Sequence, residues 1–141
     1  MVLQLLHQWR EAGGGERFPK LNEIDRAALG DIWDDCYVLD VDGDADDARF
    51  TTIGKAISDS CEEDFSSRRV SDVPTNTLLH QSASQATRVL QKAVPISMGG
   101  KFENAAGQTV LFRSILLPLS DDSEVIRKLL GAANSRVLAE D

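Results

Sequence analysis

The run at residues 109–119, TVLFRSILLPL, constrains this chain more than any other stretch. Its aliphatic and aromatic side chains suit a strand pleated into a core. It is too short, and too interrupted by Arg113 and Ser114, to span a bilayer. Residues 104–108 before it read as a turn, and residues 95–102 form a shorter apolar run. Two apolar runs joined by a short glycine-containing link predict a hairpin, the floor on which the rest of the chain packs. Strand alternation places Leu111, Arg113, Ile115 and Leu117 on one face.

That face needs a cover. Leu78, Leu79, Ser82, Ala83, Ala86, Val89, Leu90, Ala93 and Val94 recur at helical spacing and predict one long helix opening at Pro74 or Thr75. Ala86 and Val89 are therefore expected to face Leu111, Ile115 and Leu117, with Ile96 and Met98 of the first hairpin strand on the same side. At the start of the chain, Val2, Leu5, Leu6 and Trp9 lie on one side of an amphipathic helix with Leu3 at its edge. Gly13-Gly14-Gly15 ends it. This stripe can pack on its own domain or form a dimer seam through Leu3, Leu6 and Trp9. Asp25 opens a short helical piece. Residues 36–41 and 49–53 form a second hairpin across the polar turn at 42–47, and a short helix follows around Ala56 and Ile57. Residues 124–133 fit a helix and a buried strand equally, because periodicity alone does not separate the two in a short apolar run.

The chain has 141 residues, enough for one domain with a core of its own: a helix and glycine-rich break at 1–15, then a core at 16–141. A net charge of −8 argues against a nucleic-acid surface or docking on anionic lipid. Two cysteines and two histidines, without a CxxC, are too few for a disulfide scaffold or a zinc site. No early segment reads as a secretory signal, so a cytoplasmic protein without membrane insertion is expected.

Few motifs carry chemistry. The aspartates from Asp40 to Asp47 resemble a calcium loop, yet the glycine and the bidentate glutamate such a loop needs are missing in both registers, so a solvated turn is expected. No GxSxG, P-loop or dinucleotide fingerprint is present, and the protein is not expected to be an enzyme. Arg113 interrupts an apolar strand. It is either an edge position with a snorkelling stem or a charge on a cavity wall that could hold a carboxylate.

The order of elements and several short motifs carry a family resemblance. The motifs are Trp9-Arg10, Pro19, Ile24-Asp25, Leu39-Asp40-Val41, Arg49-Phe50 leading to Gly54 and Ile57, Asp64, Asp72-Val73 and Leu130-Gly131-Ala132. Most specific is Leu116-Leu117-Pro118-Leu119-Ser120-Asp121-Asp122. With these the chain resembles the single-domain PAS-like proteins common in alphaproteobacteria, the PAS_5 group. It departs from them where the family has glycine, at Glu62 and Ser67, and where it has proline, at Arg26.

The resemblance implies an α+β fold, a PAS-like five-stranded antiparallel sheet with helices on one face, an N-terminal amphipathic helix and a small cavity between sheet and helices. Residues 124–133 would then be the fifth strand. The cavity candidates are Tyr37, Ala86, Val89, Ile96, Met98, Leu111, Arg113, Ile115 and Leu117. Haem is disfavoured, since His80 falls on the flank of its helix. Flavin is disfavoured, since neither Cys36 nor Cys61 sits in the reactive-cysteine motif of flavin-type PAS domains. The implied function is a stand-alone, homodimeric sensory or regulatory module that signals through a protein partner. It would do so either after binding a small apolar or carboxylate ligand, or as a ligand-free adaptor with a filled core.

Overall fold

Five strands, β1 (Cys36–Asp40), β2 (Arg49–Ile53), β3 (Ile96–Glu103), β4 (Thr109–Ser120) and β5 (Ile126–Val137), pair antiparallel in the order β2-β1-β5-β4-β3. Among the described residues, five α-helices accompany them: α1 (Val2–Gly13), α2 (Arg26–Leu29), α3 (Lys55–Ser60), α4 (Leu78–Ala83) and α5 (Ala86–Lys92). This computed structural model describes residues 1–13, 18–41, 48–61, 63–120 and 125–138. Gly14, Gly15, the turn at 42–47, Glu62 and Asp121-Asp122 lie outside the described residues.

The expected α+β class and five-stranded sheet are present. Residues 126–137 form a strand, and it is the central one. Leu129 joins one buried cluster with Tyr37 and Leu116, while Leu130 and Ala132 join another with Leu5. A strand covered on both faces reads as a continuous apolar run, which explains why its spacing also fitted a helix.

Both faces of the sheet are covered, the second by the N-terminal amphipathic helix. Helices α3, α4 and α5 cover the face that carries Tyr37, Leu39 and Leu116. Helix α1 covers the opposite face, where Leu5 (0% exposed) packs among Val38, Ile115, Leu117, Leu119 and Leu130. Such a face left bare would expose a large contiguous apolar patch. Trp9 pins the helix there, its Nε1 donating to the Pro118 carbonyl at 2.7 Å. Pro118 lies beyond the last pair of β3 with β4, Ile96 opposite Leu116. Its carbonyl therefore has no β3 partner, and the indole supplies one. The amide of Ser120 donates to Pro19 O at 3.0 Å just beyond. Residues 116–120, the described part of the family-specific block, are thus the seat of the N-terminal segment.

The single long helix expected from residue 74 or 75 onward is two helices, α4 and α5, broken at Ser84 and Gln85. Thr77 caps α4, its side chain accepting from His80 N. At the break, Ser84 Oγ donates back to the Gln81 carbonyl at 2.8 Å and Gln85 takes φ −85°, ψ 0°. Short polar side chains compete with the helix for its own carbonyls. The apolar stripe continues across the break because α5 returns to the same sheet face.

Ser67, where the resemblance expects glycine, has φ 67°. Only glycine adopts this left-handed region without steric cost. Its backbone is held there by Ser67 N donating to Phe50 O at 2.7 Å. Replacing Ser67 with glycine is expected to raise stability by about 0.5–1 kcal/mol, the relief of strain outweighing the extra freedom of the unfolded chain. Urea unfolding would show this as a higher midpoint at unchanged slope.

Candidate functional site between the sheet and helices α4 and α5

The centre of the sheet–helix interior is occupied by Tyr37. It stands on β1 directly opposite Gly131 on β5 and is 0% exposed. A Cβ at Gly131 would be driven into the face of the tyrosine ring, closest to Cζ. The ring therefore lies flat across the strand, in a space that exists because position 131 has no side chain. Phe50 closes it edge-on, with ring centroids 5.7 Å apart. Leu79, Ala83, Ala86 and Val89 from the two helices and Leu39, Leu116 and Leu129 from the sheet complete the cluster.

The polar end of Tyr37 is satisfied within the same interior. Its hydroxyl shares a hydrogen bond of 2.5 Å with Ser82 Oγ on α4, and Ser82 Oγ shares another of 2.5 Å with Ser114 Oγ on β4. All three residues are buried. Burial pushes the Tyr37 phenol well above its usual pKa, against a smaller opposing effect from Ser82. The phenol stays neutral and able to donate. A closed chain of three neutral hydroxyls, none next to a base, ties helix α4 to two strands; it offers neither a nucleophile nor a charge to an incoming molecule.

The sequence expectations divide at this site. Tyr37, Ala86 and Val89 lie in the interior, with Ile96 packed against its edge and Met98 in a neighbouring cluster with Leu78, Phe112 and Ala133. Leu111, Arg113, Ile115 and Leu117 do not. Their shared face is the one under and beyond α1, so they are corrected from cavity wall to opposite face. Alternation assigns parity within a strand, and no exposed polar face marked which parity was which. The residues of β4 that do enter the interior are Phe112, Ser114 and Leu116. Ser82, Ser114 and Gly131 were missed as site residues; their signal was small or polar residues recurring on otherwise apolar faces. The dimer-seam candidates Leu3, Leu6 and Trp9 differ in surroundings. Leu6 and Trp9 pack on their own sheet, whereas Leu3 is 80% exposed.

Neither cysteine is set up to react. Burial, with help from Asp35, pushes the Cys36 thiol up to about 12, and its Sγ donates to the Ile32 carbonyl at 3.3 Å on the α1 side of the sheet. Cys61 is half-buried, with its pKa also raised by burial. His80 on α4 carries a buried Nδ1 with no hydrogen-bond partner among the described residues. Burial lowers its pKa. Protonation is thus easier in the unfolded chain, so stability is full above about pH 6.5 and falls as pH drops through the folded-state value. The effect is modest because the ring is partly solvated. Thermal unfolding of the wild type and His80→Gln from pH 7.5 down to 5 should show a steeper decline for the wild type.

Comparisons with known proteins agree with this geometry. A family model described as PAS domain matches residues 2–134. Among curated proteins, none matches the sequence. Among solved structures, the LOV domain of a blue-light activated histidine kinase from Erythrobacter litoralis aligns with TM-score 0.53 and 11% identity, covering 73% of this chain and 95% of that one. The dark structure of the blue-light photoreceptor Aureochrome1 LOV aligns with TM-score 0.55 and 14% identity, covering 82% and 83%. The light-state structure of the same photoreceptor gives 0.53 and 13%, covering 82% and 90%. At these identities the likeness is one of fold alone. No helix among the described residues is long and apolar enough to cross a membrane.

Proposed function

The chain belongs to the PAS domain family, and we propose that it is a stand-alone, non-catalytic, cytoplasmic regulatory module whose interior is filled by its own side chains and whose output passes through a protein partner. The observation that carries this reading is Tyr37, lying across Gly131 where a small-molecule ligand would sit, with its hydroxyl already bonded to Ser82. A flavin does not fit these residues. Tyr37 holds the interior, and Cys36 lies on the other side of the sheet. A regulatory protein without a ligand to sense must change state through what touches its surface. In this reading self-association is left to Leu3, the α1 apolar side chain that its own sheet does not cover.

The test is thermal unfolding of the wild type across a panel of small apolar metabolites and carboxylates, with and without flavin mononucleotide. A molecule that binds only the folded form must raise the melting temperature by mass action. No shift is expected. A saturable rise with any member of the panel would replace this reading with ligand sensing.

A further inference from the structure

Beyond the edge of α1, the sheet face that it covers is bare, and that bare part is basic. Odd-numbered residues of β3 and β4 and even-numbered residues of β5 point this way, as Ile115, Leu117, Leu130 and Ala132 do beneath the helix. In one cross-strand row Lys101 pairs with Leu111 and Leu111 with Arg136; in the next, Gly99 pairs with Arg113 and Arg113 with Asn134. With strands ~4.8 Å apart, Lys101 and Arg136 flank Leu111 at ~10 Å from each other, with Arg113 one pleat repeat along. All three cations are exposed. None has an ion-pair partner among the described residues. Among the described residues of these three strands, the acid on this face is Glu103, whose carboxylate lies near Gly107 of the hairpin turn. Leu111, Arg113 and Arg136, with Gly99 and Gly100 as a floor free of side chains and the start of α1 as a rim, line an open concavity of about 690 Å³.

We infer that this concavity docks an acidic segment of a partner protein, with carboxylates on Lys101, Arg113 and Arg136 and an apolar side chain over Leu111. The inference rests on the proposed protein-partner reading and names its surface. Charge selects the occupant. The protein carries −8 overall, so three adjacent unpaired cations are a local reversal of its field and attract acid where the rest of the surface repels it. A second copy docked about a twofold axis would set this basic face against itself. A nucleic acid would gain too few phosphate contacts to offset repulsion by the remaining surface.

The experiment selects peptides of about twelve residues from a random displayed library against the wild-type protein and measures their binding to wild type and variants. Winners rich in Asp and Glu around a Leu or Phe are expected. Arg113→Glu with Arg136→Glu should weaken them by about tenfold or more, as should a rise in salt from about 50 to 300 mM. Lys92→Glu, at the exposed end of α5, should leave them unchanged. Matching melting temperatures would establish that the variants fold. Winners without acidic enrichment, or winners indifferent to Arg113 and Arg136, would overturn this surface while leaving a protein partner intact. Failure to select any peptide would overturn both. Tighter binding of a poly-dT oligonucleotide than of the best peptide would overturn the choice of occupant.

Discussion

Tyr37→Ala is expected to cost about 3–5 kcal/mol, as much as an aromatic truncation at a fully packed site costs. The ring contributes buried area against Phe50, Leu79 and Leu116, and its loss also removes one of the two hydrogen bonds of Ser82 Oγ, whose bond to Ser114 Oγ remains. Tyr37→Phe should cost only about 1–2 kcal/mol, because it keeps the ring and removes a single hydrogen bond. If urea titration finds Tyr37→Ala no worse than Tyr37→Phe, the ring is not filling the interior. The truncated protein should also acquire a property that the wild type lacks. A cavity of aromatic size with apolar walls binds small aromatics, so phenol or benzene should raise the melting temperature of Tyr37→Ala and leave that of the wild type unmoved.

The second large effect is expected at Gly131, where alanine adds one methyl group to the middle of the central strand. That methyl would occupy the position of the Tyr37 ring, and a strand bonded on both sides cannot step back. The cost should reach about 3 kcal/mol, the upper end for overpacking. Tyr37→Leu in the same chain should relieve most of it, leaving Gly131→Ala to cost under about 1.5 kcal/mol against that background. Such strong non-additivity separates direct contact from a general intolerance of side chains at position 131. Equal costs in the two backgrounds would show that the glycine serves the backbone and not the ring.

Much of this arrangement is legible in the sequence. The two hairpins, the short helical piece opening at Asp25 and the alternation of residues 111–117 followed from residue type and spacing, and the family-specific block at 116–122 placed the resemblance correctly. The rest failed for identifiable reasons. Period-two alternation in β4 put Ile115 and Leu117 together but could not say which layer they met, because α1 makes the second face as apolar as the first. The stripe from Leu78 to Val94 concealed a break, since two short helices on one sheet face repeat the same apolar pattern as one long helix. The pairing of Tyr37 with Gly131 is a fact of register between strands almost a hundred residues apart, and no local pattern carries it. Ser67 was visible only as a departure from the family's glycine; its positive φ gives that departure a physical meaning.

The reading of the protein as a PAS module with a self-filled interior is tested most directly by native mass spectrometry of the freshly purified chain. Every folded species is expected to have the mass of the bare polypeptide or a whole multiple of it, and denaturation should release nothing but the bare polypeptide. A folded species heavier by a few hundred daltons, losing that mass on denaturation, would mean that a small molecule lies in the place assigned here to Tyr37.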